Sequence, residues 1–205
     1  GKTTTAVNLA AALSQLSFNV LLVDLDPQGN ATTGSGLEKN NLVQSVYEVL
    51  LDRADIKKVI THSKSGYDIL GSNRKLAAAE EELLSAARKE LRLKTKLDEV
   101  SGQYDVIIID CPPTLSILTI NAFCAADGLI IPMTCEYYSL EGVSDLLLSI
   151  RAVREQVNSG LVITGLLRVK FDPRITLQRE VSEQLSGYFG SSVFSSVIPT
   201  NVRLA

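Results

Sequence analysis

A short run with the residue types of a phosphate-binding loop opens the chain: Gly1, Lys2, Thr3 and Thr4. It matches the end of the Walker A pattern G-x-x-x-x-G-K-[ST], in which backbone N–H groups surround phosphates, the lysine reaches them and a hydroxyl binds Mg²⁺. A helical pattern follows at once over residues 5–13. The motif would therefore open into a helix N-terminus, where unpaired N–H groups and the helix dipole favour an anion.

Acidic residues stand where buried strands end. Asp110 closes the apolar run 106–109, which is the Walker B pattern of an aspartate held at a strand tip for Mg²⁺. Asp24 and Asp26 close the run that begins at residue 19. A strand-end aspartate can also simply start a turn, and Asp-Cys-Pro-Pro is good turn chemistry. Together with Lys2 and Thr3, however, these carboxylates favour a site for a phosphate and a divalent cation.

The composition describes a globular chain without an overall basic charge. Its 205 residues are 45% hydrophobic and 21% charged, with a net charge of −3. If nucleic acid is a partner, the positive charge must be local. No apolar run reaches the roughly 18 residues of a transmembrane helix. The cysteines Cys111, Cys124 and Cys135 are odd in number and widely spaced, which favours buried thiols in a reducing cytosol.

Helical and strand patterns alternate along the chain. Strands are predicted at 19–24, 67–70, 104–110, 128–132, 161–169 and 193–198, and a loop at 26–36. Helices are predicted at 5–13, 42–51, 75–100, 116–126, 139–156 and 175–189. Such alternation indicates βαβ units. We therefore predict an α/β fold of P-loop NTPase type over 1–205 as one domain, with a doubly wound, mainly parallel sheet and helices on both faces.

Five motifs, in this order along the chain, make the sequence resemble the ParA/Soj family of chromosome- and plasmid-partitioning ATPases. They are GKTTTAVNLAAAL, LLVDLDPQGNAT, YDVIIIDCPPTLS, EYYSLEG and IPTNVRLA. The second and fourth discriminate best, because generic P-loop proteins lack them. The resemblance implies a deviant Walker A ATPase that uses ATP and Mg²⁺.

The resemblance also implies partners. An ATP-dependent homodimer would bind DNA non-specifically, and a ParB-type centromere-binding protein would stimulate hydrolysis. The protein would be cytoplasmic and nucleoid-associated, without stable membrane insertion.

The same resemblance assigns residues. The nucleotide-binding residues it implies are Gly1, Lys2, Thr3, Thr4 and Asn201, the last near the adenine. It implies that Lys2 and Asp26 are catalytic: Lys2 contacts the β- and γ-phosphates, and Asp26 orients the attacking water. It implies that Thr3 and Asp110 hold the metal. Phosphoryl transfer needs positioning and charge neutralisation more than a strong base, which suits this set.

The chain departs from the family pattern in places. The signature lysine and the strand that feeds the loop would precede Gly1, so we expect this chain to be part of a longer protein, lacking sequence at both ends. Residues 167–172 lack the family's usual Thr-Met pair.

Other readings remain open. A MinD-like membrane-associated ATPase would need a C-terminal amphipathic helix, and an iron protein would need bridging thiolates, for which Cys111 and Cys135 are poorly placed. A small-molecule ligase on the same fold is a further alternative.

Three other features favour structural interpretations. Arg88, Arg92 and Lys96 recur every four residues of the predicted helix 75–100 and could face DNA phosphates. Interleaved glutamates make a solvated helix face the better interpretation. His62 is isolated and expected at the surface. The pair Tyr137 and Tyr138 is expected in a half-buried turn.

Overall fold

The computed structural model describes residues 1–136 and 139–200, and the side chains of 139–143 are also outside the description. Tyr137, Tyr138 and Asn201 therefore lie outside the described residues. The chain divides into two compact units. One is Lys2–Ala125, and the other contains Gly1 and the residues from Ala126 onward. The assignment of residues 1–205 to a single domain stays a prediction.

A twisted sheet organises the unit Lys2–Ala125. Its strands are β1 (Val20–Asp24), β2 (Thr61–His62), β3 (Asp68–Leu70) and β4 (Val106–Asp110), in the spatial order β2-β3-β1-β4. β3 and β4 both run parallel to β1, whereas the short β2 pairs with β3 in the antiparallel sense. The carboxyl ends of β1, β3 and β4 therefore meet at one edge of the sheet.

Helices cover both faces of this sheet. They are α1 (Lys2–Gln15), α2 (Asn30–Gly34), α3 (Val46–Leu50), α4 (Ile56–Val59), α5 (Leu76–Leu84), α6 (Arg92–Asp98) and α7 (Ile117–Ala125). Alternate side chains of β1 divide between the two faces, as a strand period of two requires. Leu21 and Val23 join the core formed with α3 to α7, and Val20 and Leu22 join the core formed with α1. β1 is thus buried on both sides, which explains its continuous apolar run.

The second unit repeats the pattern with β5 (Gly128–Thr134), α8 (Ser139–Gln156), β6 (Val162–Phe171), α9 (Thr176–Phe189) and β7 (Val193–Pro199). Its strands are parallel, in the order β5-β6-β7. β6 and β7 approach closely at Gly165, where an added Cβ would lie 2.6 Å from the Phe194 ring. The ring occupies the space that any other residue at 165 would need.

The structure confirms the predicted α/β class with mainly parallel strands. The single helix predicted over 75–100 is wrong. α5 ends at Leu84, a 3₁₀ turn covers Lys89–Leu91, and α6 begins at Arg92. Arg88, with a φ of 50°, adopts the left-handed conformation that breaks the run.

Smaller differences concern short elements. The predicted loop 26–36 contains the helical turn α2, and the predicted helix 42–51 is shortened to α3. Short elements carry too little periodicity to be recognised from a sequence. None of the described helices has both the length and the apolar character needed to cross a membrane.

Candidate functional site

Two carboxylates stand side by side where β1 and β4 end. Asp24 and Asp110 are paired in the parallel register of the two strands. The ladder continues for one residue, because the Leu25 N–H donates to the Asp110 carbonyl over 2.9 Å. Both aspartates are buried, with exposed fractions of 0% and 2%. The sheet therefore brings two acidic groups together in a place that water hardly reaches.

The surroundings of the Asp110 carboxyl group disfavour its charged form. Burial, with a smaller contribution from the nearby charges of Asp24 and Asp26, raises the pKa of its carboxyl to about 6. A hydrogen bond from the Thr3 side chain and the positive charge of Lys2 act in the opposite direction. Within the described residues, Asp110 Oδ2 is buried and has no hydrogen-bond partner. A buried carboxylate oxygen without a partner is costly and calls for a ligand.

Asp26 lies at the rim of the same cluster. Its Oδ1 accepts a hydrogen bond of 2.9 Å from the Gln28 N–H, and its carbonyl accepts one of 2.9 Å from the Gly29 N–H. Gly29 takes a φ of 61°, the left-handed region in which glycine is favoured. This tight turn fixes the direction of the Asp26 carboxylate, which is only 9% exposed.

Asp24 is occupied by structural hydrogen bonds. Its Oδ2 accepts from the Thr32 N–H at 2.8 Å and from the Thr32 hydroxyl at 2.7 Å, and its Oδ1 accepts from the Asp26 N–H at 3.1 Å. Burial raises the pKa of Asp24, and the Thr32 hydrogen bonds partly offset that rise. The Thr32 hydroxyl also accepts a hydrogen bond of 2.8 Å from the Ser72 N–H. Asp24 therefore ties β1 to α2 and to the end of β3.

The start of α1 brings the cation and hydroxyl of the motif to this cluster. Lys2 and Thr3 are the first residues of α1, and both act on Asp110 as described above. Thr4 is exposed, and its carbonyl accepts a hydrogen bond of 2.8 Å from the Asn8 side chain. Gly1 groups with the second unit, where an added Cβ would lie 2.7 Å from a methyl group of Val169. Space around Gly1 therefore permits only glycine.

Three residues of the site were not predicted from the sequence. Thr32 lies inside the motif LLVDLDPQGNAT, yet only the fold shows that its hydroxyl meets Asp24. Ser72 follows β3, so its place after a parallel strand was a usable signal, and its hydroxyl donates to the Asp26 carbonyl over 2.9 Å. Lys39 lies in a 3₁₀ turn, Lys39–Asn41, and its ammonium donates to the Gln28 carbonyl. No periodicity marks that lysine.

The remaining candidates have structural partners. Arg92 and Lys96 both form ion pairs with Asp52, and Lys96 lies 2.7 Å from its carboxylate. Because the helix breaks at Arg88, the three basic residues do not lie on one continuous helix. His62 is exposed, as predicted, and its Nδ1 lies 2.7 Å from Asp68.

Within the described residues the three cysteines form no disulfide, and Cys124 and Cys135 are buried. Burial raises the pKa of the Cys111 thiol, beside Asp110, to about 12.

The fold and the cluster together define a P-loop type of nucleotide-binding protein, and comparisons with known proteins agree. A family model described as an AAA domain matches residues 1–163. The sporulation initiation inhibitor protein Soj of Bacillus subtilis is 48% identical over 206 residues, covering 100% of this chain and 81% of that protein.

Two solved structures extend the likeness to three dimensions. A cobyrinic acid a,c-diamide synthase from Mycobacterium smegmatis, solved with bound ADP and magnesium, has a TM-score of 0.93 and 38% identity, covering 98% of this chain and 82% of its own. A plasmid partition protein from Borrelia burgdorferi has a TM-score of 0.84 and 27% identity, covering 98% and 85%. The chain belongs to the ParA/Soj family of partitioning ATPases.

Proposed function

We propose that this partitioning ATPase works as a switch: with ATP and Mg²⁺ bound, two copies form a dimer that binds DNA without sequence preference, and a ParB-type protein stimulates hydrolysis. The observation that carries the nucleotide part is the buried Oδ2 of Asp110, which has no hydrogen-bond partner among the described residues and lies close to Thr3 and Lys2. A hard divalent cation prefers carboxylate and hydroxyl oxygens. Thr3 and Asp110 are thus the residues that would hold Mg²⁺, which neutralises phosphate charge when bound.

Each of the other residues has a separate task in this proposal. Lys2, at the first turn of α1, pairs with phosphate charge, and Gly1 and Thr4 add contacts to the same group. The family resemblance assigns Asn201, which lies outside the described residues, to contact with the adenine. Asp26, held by its turn, accepts a hydrogen bond from the attacking water and orients it. The charges of Lys2 and Asp26 therefore serve different stages, ground-state binding and attack.

The DNA part depends on the family and on charge. With a net charge of −3, a single chain is not a basic protein, so a positive surface must be local or assembled when two chains meet. Membership in a family of partitioning proteins supports a DNA-linked cargo. The location that we propose is therefore the nucleoid in the cytoplasm.

The test uses the full-length gene product with random duplex DNA, in the absence of nucleotide and with ADP, ATP or a non-hydrolysable analogue. We expect the protein to form a dimer and to bind DNA only when ATP or the non-hydrolysable analogue is present. Binding should fall steeply between low and moderate salt, because phosphate contacts release counterions. Lys2→Ala provides the control that cannot make the nucleotide-bound state. Equal DNA binding in all nucleotide states would overturn the switch.

The Mycobacterium structure provides a second candidate function. Its printed name denotes a diamide synthase, at 38% identity. A ligase couples ATP turnover to an acceptor molecule, whereas the proposed switch turns ATP over without one. ATP hydrolysis by the purified protein that rises on adding DNA and a ParB-type protein supports the switch. Hydrolysis that requires an amide donor and a small carboxylic acid would favour the ligase.

A further inference from the structure

The turn that aims Asp26 is built from contacts that cross-link it internally. The Gln28 N–H donates to the Asp26 carboxylate, and the Gly29 N–H donates to the Asp26 carbonyl, each over 2.9 Å. A rotation of the peptide between Gln28 and Gly29 would break the bond to the Asp26 carbonyl, and a displacement of Gln28 would move the N–H that the carboxylate accepts. The direction of the Asp26 side chain is thus set by whatever holds the carbonyl groups of this turn.

Ser72 holds one side of the turn. Its hydroxyl donates to the Asp26 carbonyl over 2.9 Å, and Ser72 itself is completely buried. Its own carbonyl lies 2.8 Å from the place where a Cβ would stand on Gly29. The turn therefore cannot shift toward the end of β3 without a clash.

Lys39 holds the turn at a second point. Its ammonium donates to the Gln28 carbonyl, the group that Ser72 does not reach. Its Cδ lies 2.9 Å from the Cβ position of Gly29, so the aliphatic part of the side chain lies across the glycine. Ordering a lysine side chain costs rotamer entropy, which a charge-assisted hydrogen bond and this packing must offset.

We propose that Lys39 is a positioning residue for hydrolysis: by holding the Gln28 carbonyl against the anchor provided by Ser72, it keeps the Asp26 carboxylate aimed. The inference rests on the proposed water-orienting role of Asp26. Lys39 acts through the turn and has no direct part in the chemistry. Its loss should slow the attack step and leave ATP binding intact, because Asp26 is needed only when water attacks.

The experiment compares Lys39→Met, which keeps an aliphatic side chain over Gly29 without the ammonium, with Lys39→Arg, which keeps a cationic donor. Steady-state ATP hydrolysis and thermal unfolding are measured on the full-length gene product. For Lys39→Met we expect kcat to fall on the order of 10-fold with KM unchanged, since small displacements of a positioned group have effects of this size or larger. Lys39→Arg should restore most of the lost kcat. Lys58→Met, at an exposed lysine of α4, is the matched control and should behave like wild type.

Two further variants separate this inference from the function on which it rests. Asp26→Ala should lower turnover by about 10²-fold or more. Adding Lys39→Met to Asp26→Ala should cause no further loss. If Asp26→Ala is inactive but Lys39→Met retains wild-type kcat, the role of Lys39 is refuted and the function stands. If Lys39→Met lowers kcat only as far as it lowers the folded fraction, Lys39 is merely structural and the inference fails. Wild-type hydrolysis by Asp26→Ala would refute the site assignment itself.

Discussion

The carboxylate of Asp24 and the hydroxyl of Thr32 lie 2.7 Å apart, and both residues are completely buried. Three donors, two from Thr32 and one from the Asp26 backbone, point at the two oxygens of Asp24. The carboxylate therefore acts as the node that joins β1, α2 and the turn at Asp26.

Replacing this node should affect stability before it affects catalysis. In Asp24→Asn an N–H₂ group replaces one acceptor, so at least one of the three donors faces another donor. We expect the free energy of unfolding to fall by about 1–3 kcal/mol, the usual cost of an unsatisfied buried polar group. Urea unfolding measures this loss, and turnover per folded molecule should stay near wild type. Loss of turnover at unchanged stability would instead indicate that Asp24 takes part in ATP hydrolysis.

The stability of the nucleotide-free protein should depend on pH through Asp110. Its pKa is raised to about 6 in the fold from a usual value of 3.8, chiefly by burial. Between these values the folded state holds the proton more tightly than the unfolded state. Stability should therefore be greatest below about pH 4 for this group and fall as the pH rises to about 6.

The size of this effect is at most about 3 kcal/mol, since one pKa unit corresponds to about 1.4 kcal/mol. Chemical denaturation of wild type and Asp110→Asn across this pH range, in EDTA, gives the measurement. The stability of Asp110→Asn should not fall over this pH range, and this variant should be the more stable protein at pH 7. If the stabilities of wild type and Asp110→Asn change with pH in parallel, ionisation of Asp110 does not destabilise the fold and the prediction is wrong.

Lys2 and Asp26 should separate binding from hydrolysis. Lys2→Ala removes the charge that meets the phosphates, so we expect it to lose ATP binding, dimer formation and DNA binding together. Asp26→Ala should retain all three, while turnover falls by about 10²-fold or more, a typical loss for a positioned proton acceptor. Calorimetry, light scattering and phosphate release distinguish the two patterns. Identical profiles for both variants would show that the two residues act at one stage.

The ion pairs of Asp52 test the interpretation of the basic residues on α6. Lys96 makes the largest contribution to the lowered pKa of Asp52. Lys96→Met should therefore weaken folding by up to about 1 kcal/mol, the range of partly exposed ion pairs. DNA affinity and its salt dependence should not change. A shallower salt dependence would restore Lys96 as a phosphate contact.

The strands that carry the site were predictable from their sequences. β1 and β4 are short continuous apolar runs ending in aspartate, a pattern typical of strands in a parallel sheet. Their carboxyl ends were therefore expected at one edge, and the structure pairs Asp24 with Asp110 there. The left-handed Arg88 was not predictable, because the surrounding residues are good helix formers and tertiary packing overrides their propensity.

The contacts that orient the Asp26 carboxylate could not be predicted from the sequence for a different reason. Ser72 and Lys39 are distant from Asp26 along the chain, and each reaches it through a single hydrogen bond to a backbone carbonyl. Such a bond requires only a donor of suitable reach, so it leaves no residue pattern. The role of the carboxylate could be inferred from the motif, whereas its support became visible only in the fold.

The contact between Gly165 and Phe194 constrains the order in which this protein can change over evolutionary time. The aromatic ring lies 2.6 Å from the Cβ position of residue 165, so a side chain that replaces the glycine would collide with the ring. A smaller side chain at 194 must come first, and only then does position 165 become free to vary. Substitutions at these two positions on neighbouring strands are therefore coupled, and the cost of each depends on the order in which they are made.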